Sequence, residues 1–170
     1  NDVTVNGGSL SPLTVSGNTY SSTLTVNTDG DYEIEISPSK FSDTNGNVNT
    51  VESYYSFTFD STSPTIEISS TVSNEALTNN NNINLTFTLS ESSTNFQSND
   101  ILITGGSISG FSGSGSIYSA IFNPSSDGLI TIDVNGGVFT DEAGNPNLTA
   151  SQYRFTKDGT TTTDTVSSQD

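Results

Sequence analysis

The chain has no cysteine, histidine, methionine or tryptophan in its 170 residues, and only three basic side chains (Lys40, Arg154 and Lys157) against nineteen acidic ones. Each shortage closes off a class of chemistry. Without cysteine there is no disulfide framework, thiolate metal cluster or thiol nucleophile. Without histidine the side chain most used as a general base near neutral pH is missing, and with it the commonest transition-metal ligand. A formal charge of −16 leaves no basic patch for nucleic acid or for an anionic membrane surface. No apolar run reaches the length of a bilayer span, which argues against direct membrane insertion. No charged-then-apolar start resembles a signal peptide, so a secreted parent would carry its targeting signal outside this window.

Apolar residues are also scarce, at 29%, a level that suggests disorder. Their pattern argues otherwise. They are mostly Val, Ile, Leu, Phe and Tyr, alternating with Ser, Thr and Asn, as in a sheet with a thin core and a polar outer face. Ile83, Leu85, Phe87 and Leu89 alternate with Asn84, Thr86, Thr88 and Ser90 and predict a half-buried strand. Ile66 and Ile68 predict a strand before it. Ile101 and Ile103, then Tyr118, Ala120 and Phe122, then Ile130, Ile132 and Val134, and finally Tyr153 and Phe155 predict the strands after it. Gly, Asn, Asp and Ser fill the connections, and no window has helical spacing.

Shifting the chain by 98 residues lays Asn1–Asp60 on Asn99–Asp158 without gaps, with 23 of 60 positions identical. Gly7-Gly8-Ser9 falls on Gly105-Gly106-Ser107, Tyr20 on Tyr118, Asp29-Gly30 on Asp127-Gly128, Asp43 on Asp141 and Gly46-Asn47 on Gly144-Asn145. A period near 100 residues suits one whole sandwich per repeat. The expected fold is therefore all-β, with tandem immunoglobulin-like β-sandwiches. On this reading residues 1–60 are the later strands of one repeat, lacking its first two. Residues 61–158 form a complete repeat, and residues 159–170 resemble the first strand of another. Two explanations of this phase compete: a segment of a long array, or strand exchange in which one subunit completes the next.

The motifs Phe59-Asp60-Ser61-Thr62-Ser63-Pro64-Thr65, Phe87-Thr88-Leu89-Ser90-Glu91 and Phe139-Thr140-Asp141-Glu142-Ala143-Gly144-Asn145 resemble the bacterial immunoglobulin-like repeats of very large secreted adhesins and biofilm-matrix proteins. The resemblance implies a non-enzymatic, extracellular spacer that holds an adhesive domain away from the cell, rigidified by calcium at domain junctions. The chain departs from the pattern at Asp158-Gly159-Thr160, where no proline matches Pro64.

Calcium also follows from the residues themselves. In a sandwich of this topology one end gathers Asp60, Glu91, Asp141, Asn145 and Asn147, which offer oxygen ligands and no soft ones, as a hard cation requires. The first copy offers Asp43, Asn45, Asn47 and Asn49 at alternate positions, and Asp158 repeats Asp60 at the next junction. The competing reading is that these Asp, Asn and Gly residues simply make turns. Asp29-Gly30 and Asp127-Gly128 read as turn formers, and Glu33, Glu35 and Asp133 as a solvated strand face. Tyr20, Tyr55, Tyr118 and Tyr153 are expected in cores. Tyr54 faces outward and is the stacking candidate for surface glycans. Asn84-Leu85-Thr86 and Asn147-Leu148-Thr149 are glycosylation sequons. Lys40 and Lys157 have no obviously apolar surroundings. The expected partners are neighbouring repeats and, under strand exchange, other copies of the chain. A glycan- or ice-binding module is a third functional reading, for which Thr160–Thr163 is too short an array.

Overall fold

A computed structural model describes residues 2–160. Among these there is no α-helix, only one 3-10 turn at Ser98–Asp100, closed by Gln97 N–H donating to Asp100 Oδ2 at 2.7 Å. The chain forms two compact units, Asn1–Thr62 and a second from Ser63 onward.

The first unit contains β1 (Thr4–Asn6), β2 (Ser9–Leu10), β3 (Thr14–Ser16), β4 (Thr19–Ser21), β5 (Leu24–Thr25), β6 (Gly30–Ile36) and β7 (Ser53–Phe59). β1, β6 and β7 make one antiparallel sheet, β2 pairs with β5, and β3 and β4 form a hairpin. Among its described residues Tyr32 is the one buried large side chain, stacked on Phe57 with ring centroids 5.5 Å apart.

The second unit contains β8 (Ile66–Ser70), β9 (Leu77–Thr78), β10 (Ile83–Ser93), β11 (Ile101–Thr104), β12 (Gly106–Pro124), β13 (Gly128–Val134) and β14 (Tyr153–Lys157). Its two sheets have the orders β12-β10-β8 and β11-β13-β14-β9, antiparallel except for β14 with β9. Register aligns the apolar positions. Phe87 stands between Ile68 and Tyr118, and Ile132 between Ile103 and Tyr153. Because side chains alternate across a strand, each sheet turns one apolar face inward. The buried residues of both sheets form a single core that includes Ile83, Leu85, Phe87, Phe122, Ile132, Val134 and Phe155. This is the immunoglobulin-like sandwich expected from the alternation.

Other parts of the fold leave no mark in the alternation of apolar residues. β12 doubles back on itself, with Ser109 bonded to Asn123 and Ser112 to Ser119. Phe96 and Phe111, absent from the sequence-based core, join an aromatic cluster with Tyr118, in which Phe96 lies 5.1 Å from both Tyr118 and Phe139. The Gly-Gly pair has a steric reason in both units. A Cβ on Gly8 would lie 2.6 Å from the Thr25 carbonyl oxygen, and one on Gly106 would lie 2.4 Å from that of Asn123, the residue 98 positions after Thr25.

Two expectations need correction. Tyr118 and Tyr153 are buried at 5% and 7% exposure, but Tyr20 and Tyr55 are 66% and 63% exposed. The first unit has no counterparts of β8 and β10 among the described residues, so nothing covers that face. Lys157 is buried on the inward side of β14, with its Nζ 3.5 Å from Asp127 Oδ1, where the first unit has Phe59. The strand assigned to residues 159–170 lies outside the described residues beyond Thr160.

Candidate cation site

The 139–147 loop is built around two side chains. Asp141 Oδ1 accepts the N–H groups of Gly144 (2.7 Å) and Asn145 (2.8 Å), and its Oδ2 accepts Asn145 Nδ2 at 2.9 Å. Burial alone pushes the Asp141 carboxyl up. The hydrogen bonds from the Asn145 side chain and from the backbone of Asn145, Gly144 and Ala143 outweigh it, so its pKa lies below the ordinary value. Asn147 is buried beside it. Its Oδ1 accepts from Val138 N (2.9 Å) and Phe139 N (3.0 Å), while its Nδ2 donates to the carbonyls of Asn135 and Leu148.

Two other segments are pinned to this loop. Leu148 N–H donates to the Pro64 carbonyl at 2.9 Å, and Thr65 exchanges bonds with Ser90, through Thr65 N to Ser90 Oγ and Ser90 N to Thr65 O. The register of β10 breaks between Thr88 and Ser93, and Glu91 sits inside that irregularity; such breaks re-aim side chains. Asp60 lies upstream of Pro64, on the segment leaving β7, with its Oδ1 accepting Thr62 N–H at 3.0 Å.

The result is a group of three acids. One carboxylate oxygen from each of Asp60, Glu91 and Asp141 lies within 4.8 Å of the others, and Asp141 is buried while the other two are half-buried. Calcium–oxygen distances of about 2.3–2.6 Å place two ligands of one ion at most about 5 Å apart, so the group fits within a single coordination sphere. All the donors are hard oxygens, and the chain contains no histidine or cysteine to favour a softer metal.

The bacterial Ig-like domain family matches residues 60–157, from the first acid of this group to the end of the last strand. The chain belongs to that family. No curated protein and no solved structure matches it. Bacterial Ig-like domains are structural or surface modules, typically without enzymatic activity. Among the described residues no helix is long and apolar enough to cross a membrane.

The other acids named from the sequence lie outside the group, and the amides named with them bond within their loops. In the Ig-like unit both lone pairs of Asn147 Oδ1 are taken by backbone N–H groups, which leaves none for a cation; Asn147 is a loop staple. Asn145 serves Asp141 as a donor. Asn49 repeats the role of Asn147, with its Oδ1 accepting from Lys40 N and Phe41 N. Asp43 repeats that of Asp141, accepting from Asn45 N, Asn47 N and Asn47 Nδ2, and the Asn47 side-chain bond heads the causes that lower its pKa. Asp43 is exposed, and no other acid joins it in a cluster among the described residues. Asp158 accepts from the N–H and hydroxyl of Thr160 and also lies outside the group.

Asp29 and Asp127 do more than form turns. Asp29 holds the chain leaving β7 through Ser61 N, Ser61 Oγ and Thr62 Oγ1, and Asp127 holds the chain leaving β14 through Gly159 N. The visible sign of this role was the identity of Asp29-Gly30 and Asp127-Gly128 in the two copies. Tyr54 is exposed as expected, but its hydroxyl donates to Glu33 at 2.8 Å, so the acid on the strand face and the tyrosine are partners.

Proposed function

We propose that the chain is a spacer segment in a tandem array on an extracellular surface protein, serving as a stalk for an adhesive element, and that calcium at Asp60, Glu91 and Asp141 stiffens it. The observation that carries this reading is the convergence of the three carboxylates where the chain comes into the Ig-like unit. Three acids held this close repel one another, and a divalent cation would turn that repulsion into attraction. Bound to Asp60, the cation would tie the connecting segment to the β10 irregularity and the 139–147 loop. Pro64 already restricts that segment by fixing its own φ and narrowing the choices of Ser63. The array's neighbouring repeats are the expected partners, and no nucleic acid or membrane is implied.

Binding of this kind stabilises by mass action, by about 2.7 kcal/mol when free calcium is a hundred times the dissociation constant. Thermal unfolding in calcium and in chelator tests the reading. The expected result is a higher Tm in calcium, with the difference abolished in Glu91→Gln and Asp60→Asn, which keep the shape and remove the charge. Asp141→Ala should lower Tm in both conditions, because Asp141 also closes its own loop. A calcium effect of equal size in the parent and in Glu91→Gln would remove these carboxylates from the account.

A further inference from the structure

The chain between β7 and β8 is held at each end by a different set of bonds. On one side the Asp29 carboxylate, in the turn before β6, reaches 32 residues ahead to the segment leaving β7. Its Oδ1 accepts from Ser61 N at 2.8 Å and Ser61 Oγ at 2.7 Å, and its Oδ2 accepts from Thr62 Oγ1. These bonds hold the Asp29 carboxyl below its ordinary pKa, the one from the Thr62 side chain most of all. Asp60 Oδ1 braces the same segment through Thr62 N. On the other side Pro64 is fully buried, its carbonyl accepts from Leu148 N, and Thr65 exchanges bonds with Ser90. Ser63 lies between these two holds. It is half-buried, and no hydrogen bond reaches it among the described residues. The division between the two compact units falls at the same place, directly after Thr62.

We infer that Asp29 is a latch that fixes residues 60–62 to the first unit and leaves Ser63 as the hinge between the units. Hydrogen bonds to an ionised carboxylate are the stronger kind, and this one carboxylate fixes both Ser61 and Thr62. Without it, Asp60-Ser61-Thr62-Ser63 would be a polar loop with two soft dihedrals at every residue. With it, bending is confined to Ser63 and the link that joins it to Thr62. Pro64 narrows even that freedom, because the residue before a proline is kept extended. The second unit builds the same latch at its own exit. Asp127, 98 residues after Asp29, holds Gly159 N at 3.0 Å, and Asp158 Oδ1 holds Thr160 N at 3.0 Å as Asp60 holds Thr62 N. Gly159 has no hydroxyl to offer, so the bond to the backbone N–H is the part that both copies share. The inference does not depend on calcium, and its test is run in chelator so that the two succeed or fail separately.

The test follows backbone order in the full chain by NMR relaxation of the amides. In the parent, Ser61 and Thr62 should be as ordered as β7, with order parameters of about 0.85, and Ser63 should be the minimum between β7 and β8. Asp29→Ala should drop Ser61 and Thr62 below about 0.6 and speed hydrogen exchange at the Ser61 amide by about tenfold or more, while Ile34 and Phe57 stay unchanged. Asp127→Ala, the same change in the other copy, should release Gly159 and leave Ser61 and Thr62 as they are in the parent. If Asp29→Ala unfolds the first unit, Ser61→Ala with Thr62→Val serves instead. That pair removes the two hydroxyl bonds, keeps Asp29 in its turn, and should lower the order of Thr62. Unchanged order at Thr62 in whichever variant folds would overturn the inference. So would a parent in which Ser61 and Thr62 are already as mobile as Ser63, or a loss of order at Ser61 that Asp127→Ala reproduces.

Discussion

Asn147 reaches four backbone groups with one buried amide, and Asn49 makes the equivalent bonds in an exposed loop. The same chemistry therefore has different consequences at the two sites. Asn147→Ala strands N–H groups on Val138 and Phe139 and should destabilise the Ig-like unit by about 3 kcal/mol, whereas Asn49→Ala leaves its partners open to water. Denaturant melts that resolve the two units check this, with a small shift expected for Asn49→Ala. Gly106→Ala is a second expected disruption: the new methyl would strike the Asn123 carbonyl and the Phe122 ring at 2.4–2.5 Å, costing about 1–3 kcal/mol by overpacking. The pH dependence follows from Asp141. Its folded pKa lies below the ordinary 3.8, so the stability it contributes is full above that value and is lost as pH falls through the lowered folded pKa. Acid titration of Asp141→Asn should show a weaker dependence below about pH 4. Composition could nominate Asp141, Asn145 and Asn147 as oxygen donors. It could not show that the Asn147 oxygen is already occupied by backbone N–H groups, since that depends on how the loop closes.

Alternation located β8, β10, β11, β13, β14 and the second half of β12, because each places two or more apolar side chains on one face of a half-buried strand. The first half of β12 is not legible in the alternation, for a physical reason. Gly106 to Gly115 carries only Ile108 and Phe111 among small polar residues, and its pairing comes from doubling back on the second half. The two-residue β9 is held by parallel pairing with β14, which leaves no local pattern. The exposure of Tyr20 and Tyr55 on an apolar face is not legible either, because strand periodicity predicts which face is apolar and not whether another strand covers it. The elements should differ accordingly in mutational cost. Phe87→Ala, at the centre of β10 and fully buried, should cost about 3–5 kcal/mol. Tyr55→Ala in β7, already exposed, should fall within about 0.5 kcal/mol. Equal costs measured by chemical denaturation would mean that the face of the first unit is covered in solution.

At the scale of the whole molecule the governing fact is nineteen acids against three bases. With so few bases available, acids that converge repel one another and call for a counter-charge from outside the chain. Among the described residues only one cluster of three acids converges, and it lies where the family match begins. Extracellular modules hold calcium with dissociation constants of about 0.1–1 mM, weak enough for occupancy to follow the surroundings. Calorimetric titration of the chain with calcium tests the account most directly. It predicts one saturable site in that range, lost in Glu91→Gln and kept in Asp43→Asn. No binding up to millimolar calcium, or binding unchanged in Glu91→Gln, would contradict it and leave Asp60, Glu91 and Asp141 as parts of turns alone.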